Sequence, residues 1–184
     1  MKNWKVQMEK VCFIENQDIQ ESLLLEIIQL KEQHWSHGID SQKKWIKCNL
    51  QKFDKHCILY TCDKNKKDKK VIAYLNLIDV NGKFNNKLCK CIGIGNVCVD
   101  KKYEHMGYGR LLLKEVNKYL EENNFIGVLL CKLSVEEFYS KVGWKKLEVQ
   151  YVNVNGVAYT NIVMVYNGFQ IPEHICKVYF DRNF

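Results

Sequence analysis

Proline is almost missing: the 184 residues hold one, Pro172, beside ten glycines. No Pro- or Gly-rich linker divides the chain, so a single domain over residues 1–184 is expected, with a core to about 166 and a tail over 167–184. Long apolar runs are also missing. No window approaches the roughly eighteen apolar residues that a membrane helix needs, so no membrane partner is expected. Met1 to Gln7 alternates polar and apolar residues instead of building an apolar core, so no signal peptide is expected. The nine cysteines lack the setting of a disulfide framework, because their count is odd, the chain is long and no export signal precedes them. A cytoplasmic location is expected, with most cysteines as small buried apolar residues. Cys89-Lys90-Cys91 is a close pair without a second pair or a flanking histidine, so no metal is expected.

What is present is an ordinary globular composition, 47% hydrophobic and 27% charged. Lys and Arg number 28 against 21 Asp and Glu, a formal charge of +7. Such a charge favours anionic partners: nucleic acid, a membrane surface or a phosphorylated cofactor. Much of the excess lies in Lys64-Asn65-Lys66-Lys67-Asp68-Lys69-Lys70, which reads as a solvated hairpin loop between two apolar runs. No aromatics interleave with it, so the stacking platform of a single-strand binder is missing and nucleic acid is not the expected partner.

Periodicity gives the order of elements. Trp4, Val6 and Met8 alternate as a strand. Asp18 to Glu21 has capping-box spacing before a first helix carrying Leu24, Ile27, Ile28 and Lys31. A second helix, capped by Asp40 or Ser41, carries Trp45, Ile46 and Leu50. Strands are expected at Cys57 to Cys62, Val71 to Val80 and Cys91 to Val99, with a turn at Asn81-Gly82. A long helix with Leu112, Val116, Tyr119 and Leu120 on one face ends at Asn123-Asn124. Ile126 to Cys131 is uniformly apolar, as a central strand would be. Ser134 to Glu137 has capping-box spacing ahead of a short helix that Gly143 ends. Val149 to Val154 and Val157 to Val165 flank Asn155-Gly156, a strong hairpin signal. The expected fold is α/β with a mixed sheet, in the order βααβββαβαββ.

Two segments carry chemistry. In Val97-Cys98-Val99-Asp100-Lys101-Lys102-Tyr103-Glu104-His105-Met106-Gly107-Tyr108-Gly109-Arg110 a strand runs through a polar Gly-x-Gly loop into a helix. Glycines let consecutive backbone N–H groups face one concavity, and the helix start adds partial positive charge, so the pattern suits a phosphate. About thirty residues on comes Phe138-Tyr139-Ser140-Lys141-Val142-Gly143-Trp144. Together these resemble the GNAT superfamily of acetyl-CoA-dependent N-acetyltransferases. Gly107 and Gly109 match its acyl-CoA loop, with Tyr103 just ahead, and Tyr139, Gly143 and Trp144 match its later segment. The resemblance is close over Ile92 to Trp144 and extends by element order to Tyr166. It includes a weaker likeness to the aminoglycoside-modifying branch, although a net-basic enzyme is an odd receptor for a polycation.

The resemblance implies a GNAT-like fold and direct transfer of acetyl from acetyl-CoA to a primary amine, here of a small molecule, by a monomer or homodimer. It implies that Glu104, His105, Met106, Gly107, Tyr108, Gly109 and Arg110 hold the pyrophosphate, and that Val97, Cys98 and Val99 run beside the pantetheine arm. Gly93 and Gly95 either splay the strand, freeing N–H groups for the thioester oxygen, or only relieve crowding. Tyr139 is the expected catalytic acid; packing against Phe138 is its other reading. His34, Trp35, His37 and Asp40 lie where the family roofs its acceptor site, or form a plain interhelix turn. The chain departs from the family at Glu104, where Gln or Arg is usual, at Lys132, where many members carry asparagine, and at Gly95 and Asn96, where some carry a basic glutamate. The base is therefore unassigned. A GNAT-like domain that binds acyl-CoA without turnover, and a basic nucleic-acid-binding module, are the competing readings.

Overall fold

The computed structural model describes residues 7–8, 11–62 and 69–184. The chain begins with β1 (Gln7–Met8), β2 (Cys12–Glu15), α1 (Glu21–Glu32) and α2 (Ile39–Asn49). Three strands follow: β3 (Lys55–Cys62), β4 (Lys69–Phe84) and β5 (Lys87–Val99). After a short 3-10 turn come α3 (Tyr108–Glu122), β6 (Ile126–Cys131), α4 (Leu133–Ser140) and β7 (Lys145–Lys146). The last strands are β8 (Tyr151–Val154), β9 (Val157–Tyr159), β10 (Ile162–Tyr166) and β11 (Lys177–Phe180). The fold is mixed α+β. It divides into two compact units, one of residues up to Asn76 with Asn96–Leu112, the other of Leu77–Gly95 with Leu113–Phe184.

In the first unit β3 pairs antiparallel with β2, from Cys12↔Ile58 to Glu15↔Lys55, and with β1 at Met8↔Thr61; it also pairs with β4. Its core joins Ile27 and Leu30 of α1 to Ile58, Val71, Tyr74 and Cys98 on the strands. Ile27 and Leu30, one helix turn apart, share a face, which is why the 3.6-residue period reads as burial.

In the second unit the strand order is β7-β10-β6-β5-β4-β11-β8-β9. β6 is parallel to β5 from Cys91↔Ile126 to Ile94↔Leu129 and antiparallel to β10 from Ile162↔Cys131 to Tyr166↔Gly127. A strand with neighbours on both edges has no polar face to present, and β6 is almost wholly buried. Gly127 is required there: a Cβ would come within 2.6 Å of Leu120 and 2.7 Å of Trp144.

Several local expectations give way to tertiary contacts. The first strand expected at Trp4 to Met8 lies outside the described residues except for Gln7–Met8, and so does most of the lysine loop. Asp18 does not cap α1. Its N–H donates to Glu15, closing a turn, and Gln20 stands at the cap with no side-chain bond. Gly38, not Asp40 or Ser41, precedes α2, and Lys132, not Ser134, precedes α4. Asn81-Gly82 is strand rather than turn. Asn81 is held by the Asp181 carboxylate at 2.8 and 2.6 Å, and Gly82 makes room for the rings of Phe84 and Phe180. The hairpin turns instead at Asn85, φ 52°, whose side chain bonds His174, Cys176 and Lys177. The run Val157 to Val165 splits into β9 and β10. β11, which no local signal announced, enters between β4 and β8.

Candidate functional site

β5 ends in the first unit at a tightly tied corner. Asp100, buried, donates its N–H to Ile72 and accepts Lys102 N–H at 2.9 Å and Lys70 Nζ at 2.6 Å. Burial opposes ionisation of its carboxyl, but Lys70 and the Lys102 N–H outweigh this and hold it below the usual carboxylate range. The chain then winds through a short 3-10 turn over Lys101–Tyr103. His105 (φ 61°) and Gly107 (φ 90°) both adopt left-handed backbone before α3. Gly107 accepts the first helical bond, from Leu111 N. The N–H groups of Tyr108, Gly109 and Arg110 therefore have no intrahelical acceptor. The first turn of α3 holds no acidic side chain. Tyr108 is buried and meets the Tyr103 ring edge-on at 5.9 Å. Met106 is 65% exposed.

The α1–α2 loop is fastened to this corner. His34 Nε2 lies 2.7 Å from the carbonyl oxygen of Val99. A carbonyl only accepts, so Nε2 carries the proton and donates. The other ring nitrogen lies 3.9 Å from a carboxylate oxygen of Glu104, which turns that acid towards His34. Gln33 Oε1 accepts Lys101 N–H at 3.0 Å. Trp35 lies partly buried on the core formed by Ile27, Leu30, Tyr74 and Cys98. His37 and Asp40 are exposed. Glu32 accepts the His37 and Gly38 N–H groups.

Beneath α1 lies a set of buried polar groups that sequence reading missed. His56 Nε2 donates to Asn16 Oδ1 at 3.1 Å, which leaves Nδ1 to accept from the Tyr74 hydroxyl at 2.9 Å. Burial, then the nearby Lys31 charge, lowers the His56 pKa to about 4. Burial lowers that of Lys31 to about 8 and raises that of Cys98 to about 12. Asn96, whose φ of 56° interrupts β5, donates to Asn76 Oδ1 at 2.5 Å. A lysine on the apolar stripe of the first helix was the one available signal.

Tyr139 belongs to the second unit, on α4, half-buried against the Phe138 ring. Burial, with Cys131 adding to it, pushes its pKa well up, so the phenol keeps its proton. Its carbonyl accepts from Val142 and Trp144. Asn117 of α3 pins the following corner: its side chain donates to the Val142 carbonyl at 2.7 Å and accepts from Trp144 Nε1 at 3.0 Å. Trp144, 2% exposed, packs on Gly127, while Gly143 turns at φ 92°. Cys89 and Cys91 are buried free thiols. Among the described residues no three His, Cys, Asp or Glu side chains could hold a metal, and no helix is long and apolar enough to cross a membrane.

Residues 54–146 match the family profile described as acetyltransferase (GNAT) domain. No curated protein matches the chain. Among solved structures, it is similar to YhbS, a GNAT family N-acetyltransferase from Escherichia coli in complex with CoA. The TM-score is 0.64 at 15% identity, over 98% of this chain and 93% of that one. ElaA from Escherichia coli gives 0.60 at 15% identity, over 86% of this chain and 99% of that one. A GCN5-related N-acetyltransferase from Kribbella flavida gives 0.56 at 16% identity over 74% of this chain. The match spans only 33% of that longer protein. At these identities the likeness is one of fold.

Proposed function

The chain belongs to the GNAT acetyltransferase family, and from that premise we propose that it moves the acetyl group of acetyl-CoA directly onto a primary amine of a small molecule. The observation that carries this reading is the turn into α3. His105 and Gly107 in left-handed backbone, followed by three helix-start N–H groups, make a concave set of donors suited to a pyrophosphate. Glu104 is compatible with it, because its carboxylate faces His34 and no acid stands in the first turn of α3.

In this reading residues 104–110 hold the pyrophosphate and Val97 to Val99 run beside the pantetheine arm. At Gly93 the glycine relieves crowding, since a Cβ there would lie 2.4 Å from the Phe184 ring, while the left-handed residue Asn96 is the feature that would splay the strand beside Val97 to Val99 for the thioester oxygen. Tyr139 supplies the proton to the leaving thiolate, a role suited to a phenol that burial keeps protonated. Cys98 takes no part as a carrier. Only a thiolate is nucleophilic, and burial holds this thiol with a pKa of about 12. The buried cysteines favour a reducing, cytoplasmic setting.

Calorimetry with acetyl-CoA, followed by a thiol-release assay across an amine panel, tests the proposal. Micromolar binding with amine-dependent release supports it. Binding without release for any amine means an acyl-CoA sensor, and no binding overturns the site.

A further inference from the structure

The second unit holds an open cleft of about 600 Å³ at the β4–β5 hairpin, walled by residues that the transferase reading does not use. Lys83, Asn85 and Asn86 come from the hairpin; Cys176, Lys177 and Tyr179 come from β11 and the residue before it. Sites for small molecules run from about 300 to 1,000 Å³, so the cleft is large enough for one.

Strand register explains why these side chains gather. Tyr179 of β11 stands opposite Lys83 of β4, so both project from one face of the sheet. Lys177, two residues from Tyr179, shares that face, with its Cβ diagonal to that of Lys83 at about 7–8 Å. The alternate residues Phe84, Val178 and Phe180 point inward and are buried. Two ammonium groups are thus held side by side at the surface. Among the described residues neither has a carboxylate partner, and no acid lines the cleft. Lys87 is committed elsewhere, its Nζ donating to the Gln170 carbonyl at 2.6 Å.

The walls are fixed by their own hydrogen bonds. Asn85, in left-handed backbone, donates its side-chain amide to the His174 carbonyl and accepts the N–H groups of Cys176 and Lys177. The Cys176 carbonyl accepts the N–H groups of Gln150 and Tyr151. Tyr179 is 37% exposed; its ring meets that of Tyr151 at 5.6 Å and also lines the cleft.

Like charges on neighbouring strands repel, and an anion between them replaces that cost with attraction. A carboxylate carries one charge. A phosphate monoester carries nearly two, on three terminal oxygens, and so answers both lysines. The exposed tyrosine ring beside them offers a stacking surface for a planar group. We propose that Lys83, Lys177 and Tyr179 bind a mononucleotide, with its phosphate on the two ammonium groups and its base on the tyrosine ring. Asn86, exposed on the hairpin, supplies a side-chain amide to the base edge. The site does not depend on the transferase reading.

Stacking on tyrosine tolerates any base, so AMP serves as the probe. Calorimetry with the full chain should show AMP binding at least about 10-fold tighter than adenosine or inorganic phosphate, since only AMP engages both halves of the site. Lys83→Gln and Lys177→Gln should each weaken AMP about 10-fold, the lower end for a charge-assisted bond because the cleft is open to solvent. Tyr179→Leu should cost about 5-fold or more, the lower end for base–aromatic stacking. Cys176 gives a readout in the unaltered protein. Its exposed thiol lines the cleft, so saturating AMP should slow its alkylation by iodoacetamide while Cys48 on α2 reacts at the same rate. CoA also carries adenine and phosphate, so both measurements are repeated with acetyl-CoA at saturation. AMP binding and Cys176 protection that persist there support the site. Loss of both assigns AMP to the CoA turn and overturns it. AMP that does not bind, or that binds the double variant Lys83→Gln/Lys177→Gln as tightly as wild type, overturns it too.

Discussion

His34 Nε2 donates to the carbonyl of Val99 across 2.7 Å, joining the α1–α2 loop to the last residue of β5. The bond links a loop expected to face the acceptor with the strand expected to hold the thioester. Replacing His34 by alanine removes one buried-edge bond of about 1 kcal/mol. Affinity for acetyl-CoA should fall about 3- to 10-fold with a small drop in melting temperature. Unchanged affinity by calorimetry would show that the loop does not position the strand.

Gly107→Ala isolates backbone from side chain. A Cβ there meets nothing within 4 Å, yet φ is +90°. The cost, about 1–2 kcal/mol, is one of left-handed backbone alone, and relief by rotation misaligns the N–H groups that follow. Denaturant unfolding should show the stability loss, and calorimetry a weaker grip on acetyl-CoA. Normal stability and normal affinity together refute the pyrophosphate-binding turn at Gly107.

Tyr139→Phe keeps the ring and removes only the hydroxyl. Turnover should fall about 10- to 10³-fold with acetyl-CoA affinity and melting temperature nearly unchanged, the pattern of an interaction made in the transition state. Lost stability with normal turnover per folded molecule would instead make Tyr139 a packing residue.

His56 should dominate the acid limb of stability. Its folded pKa of about 4 lies below the ordinary histidine value of 6.5, so between these values the unfolded chain binds the extra proton. Stability therefore falls as pH drops from 6.5 towards 4, by up to about 1.4 kcal/mol per pH unit, and this contribution levels off below pH 4. Urea unfolding of wild type and His56→Gln should show that slope only in the former. A histidine-independent slope would mean the ring is not held neutral.

Cys98 should stay unlabelled by iodoacetamide at pH 7 in the folded protein, while the exposed Cys48 and Cys176 react. Acetyl-enzyme that forms without amine and is lost in Cys98→Ala would contradict direct transfer.

The sequence spoke most clearly where local and tertiary demands agree. Ile126 to Cys131 reads as a central strand because both its edges and both its faces are buried. Asn155-Gly156 reads as a tight turn because both residues take left-handed backbone, φ 49° and 84°. Asn81-Gly82 is the same dipeptide and stays extended, since its partner is Asp181, remote in sequence. The same logic hid β11, which has no local turn to mark it, and the capping of α1, where Glu15 wins the Asp18 N–H. Within the site, the Gly-x-Gly turn and the corner at Trp144 were legible from glycine and aromatic spacing. The buried polar groups at Lys31, Asn76 and His56 were not, because the partners a buried side chain finds are visible only once its neighbours are placed.

β11 carries a consequence for how the protein is made. Lys177–Phe180 pairs antiparallel with β4 at Val178↔Phe84 and parallel with β8 at Val178↔Val152. During synthesis the β4 edge at Gly82–Phe84 is exposed from the ribosome long before its partner exists. The β8–β9 hairpin likewise has no place in the sheet until that partner arrives. Chains that stall or are cut before residue 177 therefore present two open strand edges, the kind of surface that recruits other nascent chains and chaperones.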